Sequence, residues 1–309
     1  MAGAWLVGTD VANRRVPRRT VLVAVRQGDG TGDRPPLAEL RRLADADGLT
    51  VVGVVVQTRA RPDPATYLSA GKVAELAVTA QVARADVVIA DDDLSRRQTR
   101  ALEERTRTRV VDRTALILDI FGGHTREDGP VTLPVADRPP CAVIAGYANA
   151  GKSMLLNRLS GARARTGDGL FATTAPVVRE VGVDGRTLTL ADTVGVVRHL
   201  PYRRVDAFRS TIEALRHADL TIHVADASAP DVLDQISTVH AVRQEIGAGR
   251  VPELLVLNKI DVARPDQLDV LHHTYPDPVA VSARTGEGIA ELLRTVATRL
   301  RQLELGPVS

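Results

Sequence analysis

Two hydrophobic periods alternate along the chain. TVLVAVR (20–26) is an apolar run of strand length, and PPLAELRRLADADG follows with Leu37, Leu40 and Leu43 at helical spacing and Gly48 as a stop. LTVVGVVVQ (49–57) is a continuous β-branched run, the pattern of a strand buried on both faces. GKVAELAVTAQVARA (71–85) predicts a helix, ADVVIA (85–90) a strand, and DDDLSRRQTRALEERT (91–106) a helix with an acidic start. TRVVDR (108–113) reads as a short strand, and TALILDIF (114–121) opens another helix. Such alternation predicts a parallel sheet covered by helices.

GGHTREDGPVTLPVADRPP (122–140) breaks this pattern with three Gly and four Pro, and marks a domain boundary. From 141 the alternation restarts: CAVIA, KSMLLNRLSG, REVGVDGRTLTLAD, DAFRSTIEALRHA, DLTIHVADA, a helix near 231–246, ELLVLN, a helix near 265–273, PVAVSA, and GEGIAELLRTVATRLRQLE. VDGR (183–186) is an Asp-Gly turn signal, so one antiparallel strand pair is expected early in the second half. The first 19 residues show no clear period.

Composition narrows the class. The 309 residues are 44% hydrophobic and 25% charged, which excludes wholesale disorder. Aromatics are only 3%, so the core must be aliphatic. Forty basic against thirty-eight acidic residues give +2, too balanced to name nucleic acid as a partner. Lysine occurs only at Lys72, Lys152 and Lys259 in a chain otherwise basic through Arg. A single cysteine, Cys141, excludes an internal disulfide framework and a cysteine-built metal site. No run approaches the roughly 20 apolar residues of a membrane span, and the arginines near the start follow its apolar part, the reverse of a secretory signal. A soluble, cytoplasmic monomer is expected.

The chemistry sits in the second half. After CAVIA comes Gly146-Tyr147-Ala148-Asn149-Ala150-Gly151-Lys152-Ser153 and then a helical run, which is G-x-x-x-x-G-K-S between strand and helix. Glycines let successive N–H groups point at one spot, and the helix adds the positive end of its dipole. Lys152 supplies a charge for β and γ phosphates, and Ser153 a hydroxyl for Mg²⁺. Asp192-Thr193-Val194-Gly195 ends TLTLA. Asp192 is placed to hold Mg²⁺ through water, and the Gly195 N–H to bond the γ-phosphate. Between them, TGDGLFATTAPVVR (166–179) reads as the first switch segment, with Thr173 as the second hydroxyl on Mg²⁺ and Thr174 as a fallback.

Asn258-Lys259-Ile260-Asp261 follows ELLVL. An Asp carboxylate at a strand end accepts from guanine N1–H and the N2 amine, donors that adenine does not offer as a pair. Asn258 can bond the other edge of the base and tie this loop to the phosphate loop, and the stem of Lys259 can lie over the purine. Ser282-Ala283-Arg284 reads as a second base-side loop whose backbone N–H reaches the guanine carbonyl. Four motifs in this order predict a GTP-binding domain, of the Ras-like P-loop class. The architecture read is α/β: an N-terminal parallel α/β domain (20–121), a Gly/Pro linker (122–140) and a P-loop GTPase domain (141–304).

The wording of these motifs goes further. GYANAGKS, LFATTAP, ADTVGVVRHLP, DAFRSTIEAL, LNKID and SARTGEG resemble the HflX group of translation-factor-related GTPases. VVGVVVQTRARPDPATYLSAGKVAEL, ADVVIADDDLSRRQTRALEE and TRVVDRTALILDIF resemble that family's N-terminal domain, so the likeness spans about residues 37–302. It implies a GTPase that binds ribosomes, mainly the large subunit with its rRNA, and that in the family splits stalled ribosomes. It also shows departures. A linker of some twenty residues stands in place of the family's long helical hairpin. Thr174-Ala175-Pro176 lacks the Asp usual in switch I, Met154 follows Ser153 where Thr is usual, and Val196 stands where Phe is usual.

Neither Val nor Phe can orient water as the Gln of other GTPases does, so hydrolysis is expected to be slow without a partner. Asn149 has two readings: an Asn that helps hold K⁺ beside the phosphates, as in related GTPases, or a loop residue bonding its own backbone. The set read as nucleotide-contacting is Gly146, Asn149, Ala150, Gly151, Lys152, Ser153, Met154, Asp192, Gly195, Asn258, Lys259, Asp261, Ser282, Ala283 and Arg284. Lys152, Thr173 and Gly195 are assigned to catalysis, and Ser153, Thr173 and Asp192 to the metal. The missing hairpin leaves a second function open, a shortened guanine-nucleotide-dependent regulator acting on a non-ribosomal partner. Lys72 reads either as an anion contact or as a solvated lysine at a helix start.

Overall fold

In the computed structural model, the residues described are 18–26, 37–124, 140–161, 177–183, 185–197 and 208–305. The chain divides into two compact units, Met1–Arg126 and Glu127–Ser309. Their cores are almost wholly aliphatic, as the low aromatic content requires; Tyr67 and Phe208 are the aromatics among the largest fully buried side chains described.

The first unit runs β1 (Arg19–Arg26), α1 (Ala38–Ala46), β2 (Thr50–Thr58), α2 (Ala70–Val82), β3 (Val87–Ala90), α3 (Arg96–Thr106), β4 (Arg109–Asp112) and α4 (Arg113–His124). Its four strands are parallel in the order β2-β1-β3-β4. Three expectations need correction. The β-branched run of β2 is not buried on both faces: β2 is an edge strand, and most of its residues are only half-buried. Its valines reflect strand propensity and one packed face rather than a central position. The acidic Asp91, Asp92 and Asp93 are not the first turn of α3. They form the exit from β3, and the helix starts later, at Ser95, whose hydroxyl accepts from the Gln98 N–H in a reciprocal capping box. Finally, α4 continues through Gly122 and Gly123 to His124, although each glycine costs about 1 kcal/mol relative to alanine in a helix.

The second unit runs β5 (Cys141–Gly146), α5 (Lys152–Ser160), β6 (Val177–Val183), β7 (Arg186–Asp192), α6 (Arg209–Arg216), β8 (Leu220–Asp226), α7 (Val232–Glu245), β9 (Glu253–Asn258), α8 (Pro265–Thr274), β10 (Val279–Ala280) and α9 (Ile289–Leu305). The sheet order is β10-β9-β8-β5-β7-β6, parallel except for the expected antiparallel β6–β7 pair. Leu155, Leu156 and Leu159 of α5 pack with Leu292, Val296 and Leu300 of α9 on one face. Ile236 of α7 and Leu271 of α8 pack on Leu255 and Leu257 at another cluster. Burying each such side chain is worth about 1.5–3 kcal/mol.

This topology fixes where a ligand can go. From β5 the chain first builds β6 and β7 on one side and then crosses to β8 on the other. A parallel sheet opens a crevice beyond the carboxyl ends of its strands where the order reverses. That crevice lies at the end of β5, at Gly146.

Candidate functional site

The end of β5 turns through Tyr147–Ala150, and α5 starts at Lys152. Gly151 takes φ +92°, and a Cβ there would lie 2.4 Å from Asn258 Nδ2, so only glycine fits. Asn149 also sits in the left-handed region, at φ +65°, and is half-buried. Lys152 is buried, and its Nζ donates to the Tyr147 carbonyl at 3.0 Å. Burial pushes its ammonium down to about 8; Asp192 opposes the shift and Lys259 adds to it. A desolvated cation of this kind favours an anion beside it. Met154 is half-buried against the α5–α9 core.

The Asp192-Thr193-Val194-Gly195 segment lies against this loop. Ser153 Oγ donates to Asp192 Oδ2 at 2.6 Å, and Asp192 is buried. Thr193 Oγ1 donates to the Ile144 carbonyl at 2.8 Å, which anchors the segment to β5. Beyond it, the Val196 N–H donates to the Gly146 carbonyl at 3.0 Å, and the Ala148 N–H donates to the Val196 carbonyl at 2.8 Å. Gly195 is thereby pressed onto the loop. A Cβ there would lie 2.9 Å from Ala148 Cα and 3.1 Å from Lys152 Nζ. Val196 is itself buried and carries no group that could orient water.

On the other side of β5, β8 and β9 deliver the base-side residues. Asn258 is buried at the end of β9. Its Nδ2 donates to the Ala150 carbonyl at 2.8 Å, and its Oδ1 accepts from the Ala283 N–H at 3.0 Å. The expected tie from Asn258 to the phosphate loop is therefore present. The Ala283 N–H, however, is engaged by Asn258. Lys259 adopts φ +64° and its Nζ bonds Asp226 Oδ2 at 2.7 Å. Asp261 Oδ1 accepts from Ser282 Oγ at 2.6 Å, and Arg284 pairs with Oδ2. The Ser282 hydroxyl, with Arg284, holds the Asp261 carboxyl below its ordinary range.

The geometry thus gathers Gly146, Asn149, Ala150, Gly151, Lys152, Ser153, Asp192, Gly195, Asn258, Lys259, Asp261, Ser282, Ala283 and Arg284 around one sheet edge. Thr173 and Thr174 lie outside the described residues. Two contributors escaped the sequence reading. Asp226 closes β8 and holds Lys259, and Arg158 on α5 reaches the carbonyls of Ala283 and Arg284. Asp226 had a signal, an acid at a strand end facing the same loops. Arg158 had none, because an arginine late in a helix reads as solvated.

Other charged groups do less. Lys72 pairs with Glu75 at 2.8 Å on the surface of α2. Cys141 is buried at the start of β5 and forms no disulfide. His223, His240 and Glu253 bring three metal-type donor atoms within 4.8 Å of one another. Yet Glu253 Oε1 already bonds both rings, at 2.7 and 2.8 Å, and Arg243 grips Oε2. With its carboxylate saturated and a guanidinium beside it, this cluster disfavours a cation. Among the described residues, no helix is long and apolar enough to cross a membrane.

Comparison with known proteins agrees with this arrangement. Residues 35–122 match a family described as GTP-binding GTPase N-terminal, and residues 141–259 one described as 50S ribosome-binding GTPase. GTPase HflX of Lacrimispora saccharolytica is 32% identical over 359 aligned positions, covering 93% of this chain and 84% of the relative. The namesake of Caldanaerobacter subterraneus subsp. tengcongensis is also 32% identical, over 93% of this chain and 81% of its own length. That of Escherichia coli K12 is 33% identical, over 87% and 80%. The 359 aligned positions exceed the 309 residues of the chain, so the first relative carries residues that this chain lacks. With the phosphate loop, its companion motifs and both family matches in one polypeptide, the chain belongs to the HflX family of GTPases and is an enzyme that binds and hydrolyses GTP.

Proposed function

We propose that GTP lies across the carboxyl edge of the second sheet and that its hydrolysis switches the protein on and off the large ribosomal subunit. The observation that carries the nucleotide placement is the Asn258 amide, bonded at once to the phosphate loop and to the Ser282-Ala283-Arg284 loop. One side chain thus fixes the distance between a phosphate end and a base end. In this reading the N–H groups from Asn149 to Met154 cradle the phosphates, and Lys152 neutralises the β and γ oxygens. Asp261 accepts from guanine, Ser282 and Arg284 orient that carboxylate, and Lys259 stacks on the purine. The Asp226 contact supports this by holding Lys259 at the pocket.

The Ser153 hydroxyl and the Asp192 carboxylate, 2.6 Å apart, are oxygen donors of the kind that Mg²⁺ takes, and they would hold it together with Thr173. An ion held by these oxygens would supply positive charge against the phosphate oxygens. The Gly195 N–H meets the γ-phosphate. Water attacks that phosphorus, the bond to the β–γ bridging oxygen breaks, and GDP and inorganic phosphate leave. Loss of the γ-phosphate removes the contacts of Gly195 and Thr173, which frees both loops. Val196, buried and apolar, offers the water no hydrogen bond, so the isolated protein turns over slowly.

Docking on the large subunit is supported by the second family, whose description is 50S ribosome-binding GTPase. The test is GTP hydrolysis with and without purified large subunits, in K⁺ and in Na⁺, with co-sedimentation on the same samples. Stimulated hydrolysis and GTP-dependent co-sedimentation are expected; a faster rate in K⁺ would assign Asn149 to that ion. Neither stimulation nor sedimentation would end the ribosomal reading and leave a GTPase with another partner.

A further inference from the structure

We infer that Arg158 is a positioning residue for guanine recognition, setting the orientation of the base-side loop from the far end of the phosphate-loop helix. The inference rests on the placement of the base at Asp261 given above. Arg158 lies six residues after Lys152, so α5 carries it about 9 Å along the axis from the phosphate end. Its Nε donates to the Ala283 carbonyl at 2.9 Å, and its Nη2 donates to the Arg284 carbonyl at 2.6 Å. A planar guanidinium offers such a fork, and a lysine does not.

The consequence follows from peptide planarity. A trans peptide unit is rigid, with its carbonyl and its N–H pointing in opposite directions, and no cis bond occurs among the described residues. Gripping the Ala283 carbonyl therefore fixes the Arg284 N–H, which must point away from α5. Gripping the Arg284 carbonyl fixes the next unit, whose Thr285 N–H donates to Ser282 Oγ at 3.0 Å. The preceding unit is held by Asn258 through the Ala283 N–H. Three consecutive peptide units are thus pinned, one by Asn258 and two by Arg158. Since Asn258 uses the Ala283 N–H, the amide left to meet the guanine O6 is that of Arg284, and its direction is set by Arg158.

Arg158 is exposed, while Leu155, Leu156 and Leu159 carry the packing of α5, so its replacement opens no cavity. The test uses the full chain with Arg158→Ala and Arg158→Lys, and three purine riboside diphosphates. GDP has O6, the N1–H and the 2-amine, IDP keeps O6 and the N1–H without the amine, and 2-aminopurine riboside diphosphate keeps the amine but lacks both O6 and the N1–H. Arg158→Ala is expected to raise Kd for GDP and IDP on the order of tenfold and to leave the 2-aminopurine nucleotide unchanged. Arg158→Lys should fall between wild type and Ala, and kcat at saturating GTP should hold. An equal penalty on all three nucleotides, or none on GDP, overturns the inference. Wild-type protein that binds the 2-aminopurine nucleotide as well as GDP would instead overturn the base placement, and this inference with it.

Discussion

The contact at Gly195 gives the sharpest test of how the γ-phosphate is sensed. In Gly195→Ala the new Cβ would start 2.9 Å from Ala148 Cα, against an ordinary carbon–carbon contact of about 3.5–4.0 Å. One of the two backbones must give by about 0.6 Å or more. The phosphate loop resists, because Ala150 is buried, its carbonyl is held by Asn258, and Gly146 closes a paired strand. The Gly195 segment yields instead, and its two bonds to Gly146 and Ala148 lengthen. A misplacement of this size at a reacting group costs on the order of 10²-fold in rate. The assay is single-turnover GTP hydrolysis at saturating enzyme, with GDP affinity measured by fluorescence on the same protein. Hydrolysis should fall about a hundredfold while GDP affinity holds, because GDP has no γ-phosphate to meet. Wild-type hydrolysis, or a parallel loss of GDP affinity, would refute the reasoning.

Asp261→Asn should weaken GTP about a hundredfold and admit xanthine nucleotides, because an amide offers a donor where the carboxylate accepts; competition binding that finds no gain for XTP would remove Asp261 from the base pocket. Burial holds Lys152 near 8, so above that pH the free protein lacks the proton that bound phosphates restore. Calorimetry at pH 8.5 in buffers of different ionisation heat should report proton uptake on GDP binding, absent in Lys152→Met, and equal heats in all buffers would contradict this. Without nucleotide the sign follows linkage: between about 8 and 10.5 the unfolded lysine holds more proton than the folded one, so this residue's contribution makes stability rise with pH. His223 is buried among His240, Glu253 and Arg243, and burial with the nearby cations keeps it neutral well below its ordinary range. As pH falls below about 6.5 only the unfolded chain takes up its proton, so the unfolding free energy from urea titrations should drop between pH 7.5 and 5.5, by at most about 1.4 kcal/mol per pH unit per such group; a flat free energy would mean that His223 titrates in the fold.

The second unit was far more legible than the first, for a physical reason. Its site is built from backbone amides, glycines and a few charged groups at strand ends, and such demands leave fixed words in a sequence. The Val183–Arg186 connection was equally readable, since two strands seven residues long meet there over two turn positions. Burial was harder. The valines of β2 look alike whether the strand is central or at the edge, because both places favour β-branched side chains. The start of α3 was missed because three aspartates resemble an acidic first turn, while the decisive signal was the Ser95–Gln98 box behind them. Most contacts across the chain could not be read as pairs, even where one partner, such as Asp226, carried a signal. The bridge from Val196 to the phosphate loop, the hold of Asp226 on Lys259 and the fork of Arg158 each join residues far apart in the chain, and only the folded sheet brings them together.

The central claim, that one crevice holds a triphosphate at Lys152 and reads guanine at Asp261, is tested most directly by equilibrium binding of GDP, GTP and ATP to the wild-type chain with magnesium. Guanine nucleotides should bind and ATP should be weaker on the order of 10⁴-fold, as expected of a site whose acceptor would be left unpaired by adenine. Equal affinity for ATP, or no saturable binding of GDP, would contradict the account.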